Sequence, residues 1–326
     1  MNGKIVIFTT GGTIAMRYDP QTGGAVPAVS GPELIEAVPP LQDVCPVEVR
    51  EFANIPSPHM TPARMLALAK EVEKALSEPD VLGVVITHGT DTLEETAYFL
   101  DLYIDCDKPV CLTAAMRGAG DLSPDGPINL LCAARVAASP HACGKGALVV
   151  MNGEIHPATA VTKTHTANPK TFASPGWGPL GYVDEDRVIF RYASLTQRKI
   201  RPQNIAEDVY LVKLAAGSDD FLLQCLIEKK AAGIVVEGFG RGNVTPDAFK
   251  GMRAAIDAGI PVVITSRCHA GRVLDVYAYE GGVVGQKAAG VILGGELSGP
   301  KARIKLMLAL GVTRDHAQLA GYFDKA

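Results

Sequence analysis

Short apolar runs alternate with amphipathic stretches and glycine-rich turns along most of the chain. Lys4-Ile5-Val6-Ile7-Phe8, Val81-Leu82-Gly83-Val84-Val85-Ile86, Val110-Cys111-Leu112-Thr113 and Ala147-Leu148-Val149-Val150-Met151 are rich in β-branched residues. Runs this short and this apolar suit strands buried on both faces of a parallel sheet. Residues 63–77 set Met65, Leu66, Leu68, Ala69 and Val72 against Lys70, Glu71, Glu73 and Lys74, an amphipathic helix with Thr61 as N-cap and Pro62 at its first position. Residues 127–138 predict a second helix opened by a proline. Strand, helix and strand in alternation predict an α/β fold with a doubly wound, mostly parallel sheet and right-handed crossovers.

That alternation breaks over residues 152–190, where short extended pieces and the turn Pro175-Gly176-Trp177-Gly178-Pro179 predict a hairpin-like excursion carrying Lys163. Residues 191–207 are polar, basic and weakly periodic, as in a linker. Strands at 209–214 and 233–237 with a helix at 219–230 then restart the pattern. The expected organisation is a larger N-terminal catalytic α/β domain over 1–190, a linker over 191–207 and a smaller α/β domain over 208–326.

Two turns carry candidate chemistry. Thr87-His88-Gly89-Thr90-Asp91-Thr92 follows the 81–86 strand, and Thr92 with Glu95 has capping-box spacing, so a helix is expected to start there. Thr90 and Asp91 then lie at the carboxyl end of a strand, where open α/β sheets bind ligands. A plain helix-capping turn is the bland alternative. The second turn, Thr9-Thr10-Gly11-Gly12-Thr13-Ile14-Ala15, follows the first strand and presents the Thr13 hydroxyl at the same edge if the strands are neighbours. Its glycines match neither the P-loop nor the dinucleotide fingerprint. Residues 16–27, polar and rich in Gly and Pro, read as a surface loop or as a lid tethered to Thr13.

Composition narrows the field. The 326 residues are 47% hydrophobic and 20% charged with 34 glycines, which fits a glycine-turned α/β enzyme. A net charge of −4 without a basic cluster argues against nucleic acid. No apolar run reaches membrane-spanning length, and Met1-Asn2-Gly3-Lys4 leads into the first strand without a signal-peptide pattern. Seven cysteines, an odd number without paired metal spacing, point to reduced thiols and a cytoplasmic setting. The seven histidines are scattered, so no metal site is expected, and no Gly-x-Ser-x-Gly elbow is present.

Thr10-Gly11-Gly12-Thr13-Ile14-Ala15 and His88-Gly89-Thr90-Asp91-Thr92-Leu93-Glu94-Glu95-Thr96-Ala97 resemble the two signatures of the bacterial-type L-asparaginase/glutaminase family. The resemblance continues through Asp107-Lys108-Pro109-Val110, Ala114-Ala115-Met116-Arg117, Asp125-Gly126-Pro127, Val161-Thr162-Lys163-Thr164, Gly178-Pro179-Leu180-Gly181-Tyr182 and Pro300-Lys301-Ala302-Arg303. It implies a cofactor-free amidohydrolase in which two threonines, matched here by Thr13 and Thr90, face the scissile amide of a small-molecule substrate. It implies further that Lys163 and Asp91 activate them, that Asp91 holds the substrate's α-ammonium group and that Ser57 holds its α-carboxylate. Intimate dimers, paired into homotetramers, would bring Asn243 and Glu280 of one protomer to the active site of another.

Amide hydrolysis needs a nucleophile, a route for its proton and donors for the oxyanion. Thr13 is favoured as nucleophile with Thr90-Lys163-Asp91 as relay, although the residues alone allow the reverse; backbone N–H groups at Gly89-Thr90 are candidate oxyanion donors. Two departures from the family pattern bear on substrate. Its lid tyrosine is replaced at Gly24 or Ala25, with Tyr18 earlier in the loop as a substitute, and Pro58-His59 follow Ser57 where the family carries a polar side chain. Losing one hydrogen-bonding partner can move selectivity by powers of ten. Hydrolysis of another small amide, lactam or imide is therefore the alternative, and a non-catalytic amino-acid-binding module the alternative from another class.

Overall fold

A computed structural model describes residues 3–194 and 198–324. The chain divides into two compact units after Lys199, within the 191–207 stretch expected as linker. Residues 195–197 of that stretch lie outside the described residues.

In the first unit, β1 (Lys4–Gly11) is followed by a hairpin of β2 (Met16–Asp19) and β3 (Gly24–Pro27), then α1 (Gly31–Glu36), β4 (Val47–Ile55), α2 (Pro62–Leu76), β5 (Val81–Thr87), α3 (Leu93–Tyr103), β6 (Val110–Thr113), α4 (Gly126–Ala138) and β7 (Ala147–Met151). Five of these strands run parallel in the order β7-β6-β5-β1-β4, so the chain steps from β1 to β4 on one side and then returns to β5 on the other. That order is the doubly wound 2-1-3-4-5 arrangement, whose switch point lies between β1 and β5. Both faces are covered. Ile5, Ile7, Val85, Cys111 and Leu148 share a core with α4, while α2 packs on β5 and α3 on β7. Two-sided burial explains why β1, β5, β6 and β7 carry no polar alternation, whereas the edge strand β4 has no buried residue and alternates through Val47-Glu48-Val49-Arg50.

The excursion after β7 contains β8 (Glu154–Pro157), β9 (Thr162–Lys163), β10 (Phe172–Ala173), β11 (Gly181–Asp184) and β12 (Arg187–Phe190). β8, β11 and β12 extend the sheet antiparallel, whereas β9 and β10 form a separate two-stranded ribbon. The second unit holds a parallel sheet of β13 (Val209–Lys213), β14 (Gly233–Gly238), β15 (Val262–Ser266) and β16 (Ile292–Leu293). Its helices are α5 (Phe221–Glu228), α6 (Pro246–Asp257), α7 (Val283–Ala288), α8 (Gly299–Leu310) and α9 (His316–Phe323).

The stretch 16–27, read as a loop without periodicity, is a β-hairpin: Met16 to Asp19 pair with Pro27 to Gly24. Local chemistry accounts for it, because the Asp19 carboxylate accepts from Gln21 N at 2.9 Å and Gly23 turns at φ 69°.

Candidate active site

The site forms where β1 and β5 end side by side, with Thr9 opposite Thr87. Beyond them Thr10 Oγ1 donates to Thr87 O at 3.0 Å, and Gly11 and Gly12 (φ 97° and 82°) reverse the chain into a single 3-10 turn, Thr13–Ala15. Gly12 leaves room for nothing larger, since a Cβ there would stand 2.3 Å from Gly89 Cα. Gly89 presses in turn on the loop after β4, where its own Cβ would lie 2.7 Å from Ser57 Oγ. Three loops thus meet, the first two backbone to backbone, and one residue beyond that contact stand Thr13 and Thr90.

Hydrogen bonds lock the same junction. Gly12 N donates to Ile55 O at 3.0 Å, and Asp91 N donates to Ser57 Oγ at 3.2 Å. α3 starts where expected, but not by the expected capping box. The Thr92 hydroxyl donates to Ser57 O at 2.8 Å instead of capping the helix, so it joins two loops. His88 is fully buried, with Nδ1 2.8 Å from Gly89 O and Nε2 3.0 Å from Thr96 Oγ1. A carbonyl only accepts, so Nδ1 carries the proton and Nε2 accepts from Thr96. Burial pulls the His88 pKa down to about 4, and the neutral ring serves as a brace inside the turn.

Lys163 arrives from the β9–β10 ribbon. Its backbone N donates to Glu94 Oε2 at 2.7 Å, in the first turn of α3. Its Nζ lies 2.9 Å from Thr90 Oγ1 and 2.7 Å from Asp91 Oδ1. Thr90 is buried, the Lys163 side chain is 17% exposed and that of Asp91 is 59% exposed. As an ammonium, Lys163 polarises the Thr90 oxygen but is unable to take its proton. Passing a proton to Asp91 would leave an amine able to do so. A nearby loop is ordered by Asp125, whose carboxylate accepts from Met116 N at 3.0 Å and from Arg117 N at 2.8 Å.

Thr13, Ser57, Gly89, Thr90, Asp91 and Lys163 therefore belong to one junction in the first unit. Tyr18 lies on β2 opposite Ala25, with 66% of its surface exposed. Asn243 and Glu280 belong to the second unit, where two loops meet: Val244 N donates to Gly281 O at 2.9 Å, and buried Gln286 gives Nε2 to both Gly242 O and Gly281 O at 2.9 Å. Asn243 closes a tight turn, pairing with Phe239 through N–H···O bonds of 2.7 and 2.9 Å in both directions. Among the described residues, no three His, Cys, Asp or Glu side chains gather as metal ligands.

Sequence reasoning gave Glu94, Asp125 and Gln286 no role. An acid beside Glu95 at a helix start is an ordinary complement to the helix dipole, and a lone glutamine in a short helix carries no signal.

The asparaginase N-terminal domain model matches residues 4–196, and the glutaminase/asparaginase C-terminal domain model matches residues 208–323. The chain belongs to the asparaginase family. It is thus an asparaginase-family hydrolase acting on amide bonds. An L-asparaginase of Bacillus licheniformis is 37% identical over 311 residues, 95% of this chain and 96% of its own length. A probable periplasmic L-asparaginase of Haemophilus influenzae is 37% identical over 329 residues, 98% of this chain and 92% of its own length. A glutamyl-tRNA(Gln) amidotransferase component of Pyrococcus furiosus is 36% identical over 327 residues, 95% of this chain and 73% of its own. The chain is therefore similar to proteins named as amidotransferase subunits as well as to proteins named as L-asparaginases.

Proposed function

We propose that this chain hydrolyses the side-chain amide of L-asparagine to L-aspartate and ammonia, with L-glutamine as a second substrate, through a threonine nucleophile. The observation that carries the proposal is the bridge from Lys163 Nζ to both Thr90 Oγ1 (2.9 Å) and Asp91 Oδ1 (2.7 Å), beside the loop bearing Thr13. In this reading the Thr13 oxygen attacks the amide carbon and its proton enters the Thr90–Lys163–Asp91 relay. N–H groups of the Gly89-Thr90 turn receive the oxyanion. The relay returns the proton to the departing nitrogen, which leaves as ammonia. Water then cleaves the acyl-threonine, releasing the acid and restoring Thr13.

The exposed Asp91 carboxylate would bind the substrate's α-ammonium group, and Ser57 its α-carboxylate. Asn243 and Glu280 would come from a second protomer in an intimate homodimer, paired into a tetramer. The N-terminal domain would then carry most of the catalytic site. Seven unpaired thiols, three of them buried (Cys45, Cys111 and Cys132), support residence in the reducing cytoplasm. Among the described residues no helix is long and apolar enough to cross a membrane.

A second reading, turnover of a different small amide or imide on the same relay, is favoured by the outward-facing Tyr18 and by Pro58 beside Ser57. Ammonia release from L-Asn, D-Asn, L-Gln and a panel of small amides and cyclic imides separates the two. Rapid release from L-Asn, falling by about 10³-fold or more in Thr13→Ala, supports the first; turnover confined to another amide supports the second. Ammonia release from L-Asn that survives Thr13→Ala would reject Thr13 as nucleophile. A monomer with full activity in a sedimentation-matched assay would reject the shared site.

A further inference from the structure

We infer that Glu94 is a positioning residue for Lys163, holding the lysine backbone so that its Nζ reaches Thr90 and Asp91. The inference rests on the reading of Lys163 as the relay. Its basis is a closed ring of contacts. Lys163 is gripped at both ends by one five-residue stretch: its backbone N–H by the Glu94 carboxylate at 2.7 Å, and its Nζ by Thr90 and Asp91. The grip matters because of where Lys163 sits. β9 and β10 stand apart from the eight-stranded sheet and pair through Lys163 with Phe172 and Thr162 with Ala173, with Thr164 N donating to Thr171 O at 2.8 Å just beyond.

Other bonds tie the ribbon down elsewhere. Thr164 Oγ1 donates to Thr171 O at 2.7 Å, Lys170 Nζ lies 3.1 Å from Glu154 Oε1, and His156 Nδ1 lies 3.0 Å from Ser174 Oγ. These connect the ribbon to itself and to β8. The Glu94 bond refers the Lys163 backbone to the helix following Thr90 and Asp91. A long, flexible lysine side chain reaches a fixed point reproducibly only when its base is fixed as well.

What Glu94 supplies is an acceptor at the correct reach, and its charge is incidental. Glu94→Gln retains an acceptor oxygen at the same length. Glu94→Asp retains the charge but falls one methylene short, and Glu94→Ala removes the group. The test is steady-state ammonia release from L-asparagine by these three variants, by Lys163→Ala and by the Glu94→Ala/Lys163→Ala double variant, each confirmed folded by thermal unfolding. Glu94→Gln is expected within about threefold of the parent kcat. Glu94→Ala and Glu94→Asp are expected to lose roughly 10- to 100-fold in kcat with KM changed by less than about threefold. The double variant should match Lys163→Ala, because Glu94 has nothing to position once the lysine is gone.

Losses that multiply in the double variant would overturn the inference, as would a folded Glu94→Ala with parental kcat. Parental activity in Glu94→Asp with a deficit in Glu94→Gln would overturn it too, by assigning the effect to charge. A parental kcat in Lys163→Ala would instead overturn the relay reading beneath it, so the two failures are distinguishable.

Discussion

Replacing Gly12 with alanine tests whether backbone contact between two loops sets the catalytic geometry. The added Cβ would stand 2.3 Å from Gly89 Cα and 2.4 Å from Gly89 N. Ordinary carbon–carbon contact is about 3.5–4.0 Å, so the loops bearing Thr13 and Thr90 must part by about 1.2–1.7 Å. Gly12 also sits at φ 82° and ψ −179°, a region essentially reserved for glycine, which adds about 1–3 kcal/mol of strain. A displacement of about 1 Å between reacting groups is enough for about 10²-fold in rate. Gly12→Ala should therefore lose at least about 10²-fold in kcat and melt several degrees lower. Gly259→Ala is the control for strain alone, since its φ is 77° and a Cβ there meets nothing within 4 Å. It should lose about 1–2 kcal/mol of stability with kcat unchanged. Gly89→Ala gives displacement without left-handed strain, because its Cβ would meet Ser57 at 2.7 Å. It should lower activity more than stability. Calorimetry and ammonia-release kinetics on the three variants decide the matter. A folded Gly12→Ala with kcat within threefold of the parent would refute the reasoning.

Three further outcomes are expected. His88 stays neutral in the fold down to about pH 4, while in the unfolded chain it gains a proton near 6.5. Its contribution is therefore complete above 6.5 and is lost as pH falls from 6.5 towards 4, by about 3 kcal/mol in all; denaturant titrations across that window should show the slope, reduced in His88→Gln. Lys305 is buried with only burial moving its pKa, down to about 8, and Phe323 lies 5.2 Å from its Nζ. The unfolded chain holds this proton up to about pH 10.5, so stability should rise between pH 8 and 10.5. Lys305→Met should flatten that rise and, at pH 7, add up to about 3 kcal/mol, less whatever the Phe323 ring returns; an unchanged profile would contradict this. Gln286→Leu strips a hydrogen bond from each of Gly242 O and Gly281 O in a buried site, which should destabilise the chain by about 2 kcal/mol or more. KM for L-asparagine should rise with kcat nearly kept, a split measurable by initial rates.

Much of the first unit was legible because its strands are short apolar runs and its helices carry local start signals. Thr61 caps α2 by accepting from Arg64 N, as its position before Pro62 implies. Thr92 shows the limit. Spacing marked the helix start, but the partner its hydroxyl takes, Ser57 O, lies 35 residues away and becomes available only once β4 and β5 flank β1. The 16–27 hairpin was hidden because its strands are only four residues long and β2 buries no residue, so no core-facing side imposes a period. Strand-end turns marked Thr13, Thr90 and Asp91 as candidates and motif resemblance added Lys163, whereas the contacts of Glu94 and Gln286 join distant segments and leave no pattern in their own neighbourhoods.

The distance along the chain between Thr90 and Lys163 has a consequence for synthesis. The bond joining them spans 73 residues, which take roughly 4–15 s to translate at about 5–20 residues per second. Through that interval a nascent chain can hold both threonines at the ends of finished strands while the lysine does not yet exist. Hydrolysis on this relay would begin only when the ribbon has been made and docked. On the proposed relay, any chain that terminates between these positions, whether by stalling or by cleavage, would be inert towards amides even if its five parallel strands are in place.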